Sequence, residues 1–113
     1  MKQIPKRVMI VSFDAVGAKD LEYLQTLPNF QRFFEQAALC SHVNSVCPSL
    51  TYPAHTSIVT GRMPKNHGIV NNTKIQPGRK DPGWLYHRKW IRSTTLYDEA
   101  KKKGMTTAGL LWP

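Results

Sequence analysis

Residues 7–13, reading R-V-M-I-V-S-F, form a near-continuous apolar run that ends on a carboxylate, Asp14. Its length and its valines and isoleucine suit a strand. Beyond Asp14 the period changes. Residues 19–25 place Leu21 and Leu24 on one helical face. Pro28 then opens a second helix through about Ala38, with Phe30, Phe33, Phe34 and Ala37 at the helical spacing and proline in the tolerated first turn. Residues 39–46 alternate and predict a second strand. A helix from Pro53 or Ala54 to Thr60 stops at Gly61. Gly68, Asn71, Asn72, Pro77, Gly78, Pro82 and Gly83 mark a long loop-rich stretch, with room for short strands at Ile69 and Val70. Residues 95–103 predict a helix with Leu96 and Ala100 inward, closed by Gly104, and residues 106–112 a third strand. Strands alternating with helices predict an α/β fold: a mostly parallel sheet with helices on both faces.

In sheets of this kind, sites form beyond the carboxyl ends of the strands. Asp14 lies just past the first strand. Thr51 lies past the second, where the irregular residues 47–50 meet a helix start between Pro48 and Pro53. A threonine hydroxyl is a poor nucleophile at neutral pH and needs a base or a cation to activate it. A divalent ion does this while stabilising charge on a transferring phosphoryl group, and the free N–H groups of a helix start add partial positive charge. Simpler roles are open for the same residues. Threonine before a helix is a common N-cap, and aspartate at a strand end is a common turn former. His55 and His67 have no simple metal-ligand spacing and suit bonds to backbone. Asn71 and Asn72 suit a turn, and Trp84, Tyr86 and Trp90 suit packing of their loop onto the body.

Composition narrows the classes. The chain has 113 residues and 41% apolar content, the size and make-up of one small globular domain. No apolar run approaches the roughly 20 residues of a membrane span. The basic start at residues 1–6 precedes an apolar run that stops at Asp14, which does not make a secretory signal, so a cytoplasmic location is expected. Cys40 and Cys47 imply no disulfide framework. The formal net charge of +9 raises a nucleic-acid-binding module as a function of another class. Much of the excess, however, falls in residues 79–92 and 101–103, a loop and a solvated helix face, and the same charge would attract a small anionic substrate.

Three segments, taken together, carry a family resemblance: V-M-I-V-S-F-D at 8–14, P-N-F at 28–30, and P-S-L-T-Y-P-A-H-T-S-I-V-T-G-R-M-P-K-N-H-G-I-V-N-N at 48–72. In order and spacing they resemble the nucleotide pyrophosphatase/phosphodiesterase family of the alkaline phosphatase superfamily. L-L-W-P at 110–113 resembles the strand after that family's third helix. The resemblance implies a metal-dependent hydrolase of phosphodiester or pyrophosphate bonds acting on nucleotides or related small molecules. Asp14 would ligate one zinc of a two-zinc centre. Thr51 would contact that zinc and be the nucleophile, transiently nucleotidylated or phosphorylated. Asn72 would donate its amide NH2 to a non-bridging phosphate oxygen, and Trp84 would stack on a base. Residues 1–113 would be the N-terminal portion of a single catalytic domain, truncated, inactive alone, and prone to self-association through an exposed sheet edge. No membrane or nucleic-acid partner is expected. A phosphonate hydrolase or phosphotransferase of the same superfamily could use the same Asp14 and Thr51.

Overall fold

The structure, a computed structural model, describes residues 7–112. The basic start at residues 1–6 and the final Pro113 lie outside the described residues. The chain gathers into two compact units, Met1–Val43 and Asn44–Pro113.

The first unit carries helices where local chemistry favours them. A 3-10 turn, Ala18–Asp20, leads into α1, Leu21–Thr26, and the Asp20 carboxylate accepts from the Gly17 N–H at 2.7 Å. Leu27 is extended, with ψ 126°, as the residue before a proline should be, and Pro28 opens α2, Pro28–Phe34. Phe30 joins Phe13 and Phe34, with ring centroids 5.7 and 6.0 Å apart. This helix is shorter than the periodicity predicted. After Phe34 the bonds tighten to i−3, from the Gln36 N–H to Phe33 and from the Ala37 N–H to Phe34, and the helix unwinds before Ala38.

The second unit begins its first helix, α3, at Thr51 and runs to Thr60. That start is two or three residues earlier than the expected Pro53 or Ala54, because Pro53 sits among the first-turn positions whose N–H groups have no helical partner anyway. Gly61 closes it at φ 61°, donating to Ser57. The one-turn helix α4, Pro64–His67, follows and ends on Gly68 at φ 84°. A 3-10 turn, Arg88–Trp90, precedes α5, Leu96–Lys102.

Both ends of α5 are locally specified. The Thr95 hydroxyl accepts from the Asp98 N–H at 3.3 Å while the Asp98 carboxylate accepts from the Thr95 N–H at 2.7 Å. The Arg88 guanidinium also donates to Asp98, and these bonds, Arg88 first, hold the carboxyl down to about 2. At the other end the Met105 N–H bonds to Ala100 and the Gly104 N–H to Lys101, with Gly104 at φ 72°. This is the Schellman arrangement, and it ends the helix at the predicted glycine.

The predicted sheet does not form among the described residues. Residues 7–13, 39–46 and 106–112 are non-helical but carry no strand ladder, and the pairing present is one isolated antiparallel bridge, Thr73 with Trp84. A run's composition can favour a strand, but the strand exists only when a neighbour takes up its N–H and C=O groups. Side chains of the first and third runs stay largely in solvent: Met9 is 86% exposed and Leu111 95%. Burial concentrates in the second unit, on Val59 of α3, Ile69, Pro53, His55, Thr56, His67 and Thr95.

Candidate active site

Thr51 is the first residue of α3, and the N-cap is Leu50, extended and without a capping side chain. Capping therefore does not account for Thr51. The cap comes from far along the chain: the Tyr52 N–H donates to the Asn72 side-chain oxygen at 2.9 Å, across 20 residues. This satisfies one of the donors that every helix start leaves over. It also sets the amide's orientation. With Oδ1 taken by an N–H, the NH2 of Asn72 becomes the face offered to a ligand.

Asn72 is held by backbone on both sides. Its N–H donates to the Asn71 side-chain oxygen at 2.8 Å, and its carbonyl accepts from Leu85 at 2.9 Å. The Lys74 N–H reaches Gly83 at 2.8 Å, so the Thr73–Trp84 bridge sits in a short antiparallel ribbon. Gln76 adds a side-chain bond from the Gly83 N–H at 3.0 Å. The ribbon brings Trp84, half exposed, to the Tyr52 ring at 5.6 Å and 60°. Thr51, Asn72 and Trp84, separated in sequence, thus meet around Tyr52. A hydroxyl, an amide donor and an aromatic face at a helix start are the parts for holding and attacking a phosphoryl group that carries a flat substituent.

Asp14 belongs to the first unit. Its carboxylate accepts from the Ala15 N–H at 3.0 Å, and Ala15 takes φ 62°. A left-handed alanine costs about 1–2 kcal/mol. The turn after Asp14 is therefore a strained one, of the kind that gathers at functional sites.

The donor set does not by itself fit a two-metal centre. Among the described residues no three of His, Cys, Asp and Glu converge as ligands. Nor do the second unit's helix histidines offer themselves. The His55 Nδ1 bonds the Thr51 carbonyl at 2.8 Å, and its ring meets Trp112 edge-on at 5.2 Å. His67 is fully buried with both nitrogens engaged. Its Nδ1 accepts from the Ile69 N–H at 3.1 Å, so its Nε2–H donates to Ser57 Oγ at 2.9 Å, and the Ser57 hydroxyl donates to the Pro53 carbonyl at 2.9 Å. This chain ties α4 to the first turn of α3.

Burial holds the His67 pKa below its ordinary 6.5, opposed by the Pro53 carbonyl. The unfolded chain takes up a proton near pH 6.5 and the folded one does not. The stability His67 contributes is therefore complete above that pH and lost as pH falls below it, at up to about 1.4 kcal/mol per pH unit. Thermal unfolding from pH 7.5 to 5 is expected to show this fall, and His67→Gln to flatten it. An unchanged slope in the variant would assign the acid sensitivity elsewhere.

Tyr52 and the Ser57–His67 pair carry no sequence signature of their own. A backbone N–H is common to every residue type, and a serine ten positions from a histidine has no helical or strand spacing. The nearest signal was the pair of prolines that left the start of α3 open.

Comparison with known proteins identifies the family. The family model for type I phosphodiesterase / nucleotide pyrophosphatase matches residues 8–113. The bis(5'-adenosyl)-triphosphatase of Mus musculus is 33% identical over 118 residues, covering 95% of this chain and 24% of the relative. Ectonucleotide pyrophosphatase/phosphodiesterase family member 5 of Homo sapiens is 30% identical over 114 residues, covering 96% and 24%. Family member 1 of Homo sapiens is 29% identical over 114 residues, covering 93% and 12%. The chain spans about a quarter of the length of the first of these relatives. No solved structure gives a significant match. With the match running from Val8 through the Thr51 helix start and the Asn72 ribbon, the chain belongs to the type I phosphodiesterase / nucleotide pyrophosphatase family.

Proposed function

We propose that this chain supplies the nucleophile and part of the substrate site of a hydrolase that cleaves phosphodiester or pyrophosphate bonds in nucleotides. The bond from the Tyr52 N–H to the Asn72 side chain carries the reading, because it ties the amide oxygen to the helix start where Thr51 sits and leaves the NH2 on the other arm to donate to a ligand beside it. Thr51 Oγ1 attacks phosphorus in line with the leaving oxygen. The hydroxyl proton passes to solvent as the Oγ1–P bond forms and the bond from phosphorus to the leaving oxygen breaks, and the leaving oxygen takes up a proton from solvent. The Asn72 NH2 and the N-terminus of α3 hold the negative charge on the non-bridging oxygens. Water then cleaves the Thr51 ester and restores the hydroxyl. Trp84 offers its exposed face to a base, in keeping with a relative named as acting on a bis-adenosyl triphosphate.

Metal dependence belongs to the same proposal. Asp14 and Thr51 are the ligands this chain would bring to a zinc centre whose other ligands come from further sequence. In the complete domain, residues 7–13, 39–46 and 106–112 are strands of a mostly parallel, alkaline-phosphatase-like sheet. The exposed apolar side chains at Val8, Met9 and Leu110 support this, since a paired and covered sheet would bury them.

A full-length protein containing this chain tests the reading. It is expected to hydrolyse bis-p-nitrophenyl phosphate and a dinucleoside triphosphate, to lose turnover on chelation and to regain it with zinc. Preferential turnover of phosphonoacetate, or full turnover in excess chelator, would refute the assignment. Salt-sensitive nucleic-acid binding with no hydrolysis would move the function to the binding class.

A further inference from the structure

The peptide group that joins Thr51 to Tyr52 is held at both ends. Its N–H donates to the Asn72 side-chain oxygen at 2.9 Å, and its carbonyl accepts from the His55 ring, whose Nδ1 lies 2.8 Å away. A carbonyl has no proton to give, so Nδ1 is a protonated nitrogen of His55. The i, i+4 spacing within α3 places that ring one turn on from Thr51, on the same face of the helix. His55 is 7% exposed, and the Trp112 ring meets it edge-on at 5.2 Å and 81°, which restricts rotation of the imidazole.

Helix geometry does not require this bond. In an α-helix the carbonyl at position 51 already serves the backbone N–H four residues on, and the imidazole takes its second lone pair. The extra bond adds control of one plane. Because a peptide group is planar, holding its oxygen from one side and its N–H from the other leaves it little freedom to tilt. The Thr51 Cα is attached directly to that plane and Asn72 is bonded to its far end, so nucleophile and amide take their orientation from the same group. Hydrogen bonds in series also polarise one another. A donor on the Thr51 carbonyl makes the Tyr52 N–H a stronger donor, which draws charge from the Asn72 oxygen and leaves the Asn72 NH2 a stronger donor in turn.

We propose that His55 is a positioning residue for phosphoryl transfer: through the Thr51–Tyr52 peptide group it orients the Thr51 nucleophile and the Asn72 amide together. The link to transfer rests on the proposed function; the clamp on the peptide group does not.

Two substitutions in the full-length protein separate the donor from the bulk of the ring. His55→Leu fills the space against Trp112 and has no donor, whereas His55→Asn loses the ring and keeps an N–H at the place of Nδ1. With bis-p-nitrophenyl phosphate, His55→Leu is expected to lower kcat about 10-fold or more with KM within about twofold of wild type, and His55→Asn to restore most of that kcat. The unfolding midpoint should move the other way, close to wild type in the leucine variant and lower in the asparagine one. Hydrogen exchange at the Tyr52 amide, read by mass spectrometry, needs no turnover; it should run about 10-fold faster in His55→Leu and near the wild-type rate in His55→Asn. Wild-type kcat in His55→Leu would overturn the proposal, and so would a kcat that follows the unfolding midpoint across the two variants, which marks a packing role. If wild-type protein does not hydrolyse the diester, the proposed function fails, and the exchange rates alone still decide whether His55 clamps the peptide group.

Discussion

Replacing Thr51 by alanine in the full-length protein is expected to lower kcat for phosphodiester hydrolysis by at least about 10³-fold, because the covalent step loses its attacking atom. Folding should survive. Thr51 is not the N-cap of α3; Leu50 holds that position, and the helix start is satisfied by Asn72 through the Tyr52 N–H. Alanine is also the better helix former. Far-ultraviolet circular dichroism and the unfolding midpoint should therefore stay close to wild type while turnover collapses. Thr51→Ser, which keeps a hydroxyl at the same atom, should retain most of the activity that the alanine variant loses. Rapid quenching followed by mass spectrometry should find a nucleotidyl or phosphoryl adduct on Thr51 in the wild type and none in the alanine variant. Wild-type kcat in Thr51→Ala would remove the nucleophile assignment.

How far the sequence reached depends on how local each feature is. The end of α3 at Gly61 and the end of α5 at Gly104 were readable because a left-handed residue closing a helix is a property of two or three neighbours. So was the opening of α2 at Pro28, where the ring fixes the first turn and forces Leu27 to be extended. The strands were not settled in this way. Residues 7–13 have strand composition, but a strand is completed by pairing partners distant in sequence, and no ladder forms among the described residues.

The site shows the same division. Thr51, Asn72 and Trp84 could be named from motif order, and the structure brings these three together in the second unit, while Asp14 belongs to the first. What joins them could not be named. The contact runs through the backbone N–H of Tyr52 and through its ring, and it depends on a ribbon between residues 72–74 and 83–85 whose bonds are all main chain. Main-chain donors leave no mark in a sequence. The proposed metal ligands are a different case: the resemblance names Asp14 and Thr51, and no ligand cluster forms among the described residues.

Asn72 has two tasks on opposite ends of one amide, and two substitutions pull them apart. Its oxygen accepts from Tyr52 and caps α3; its NH2 is the proposed donor to phosphate. Asn72→Ala removes both, and should cost about 1 kcal/mol of stability from the lost cap together with about 10²–10³-fold in kcat from the lost donor. Asn72→Asp keeps an oxygen acceptor for the Tyr52 N–H and places a negative charge at a helix N-terminus, which stabilises by about 0.3–1 kcal/mol. The same change deletes the NH2 and sets a carboxylate against an anionic substrate, so kcat should fall at least as far as in the alanine variant. Stability and activity are thus expected to move together in Asn72→Ala and in opposite directions in Asn72→Asp, measured by thermal unfolding and steady-state kinetics on the same preparations. An aspartate variant as unstable as the alanine one would deny the cap. Full turnover in the aspartate variant would deny the phosphate contact, because a carboxylate at pH 7 has no proton to donate to that oxygen.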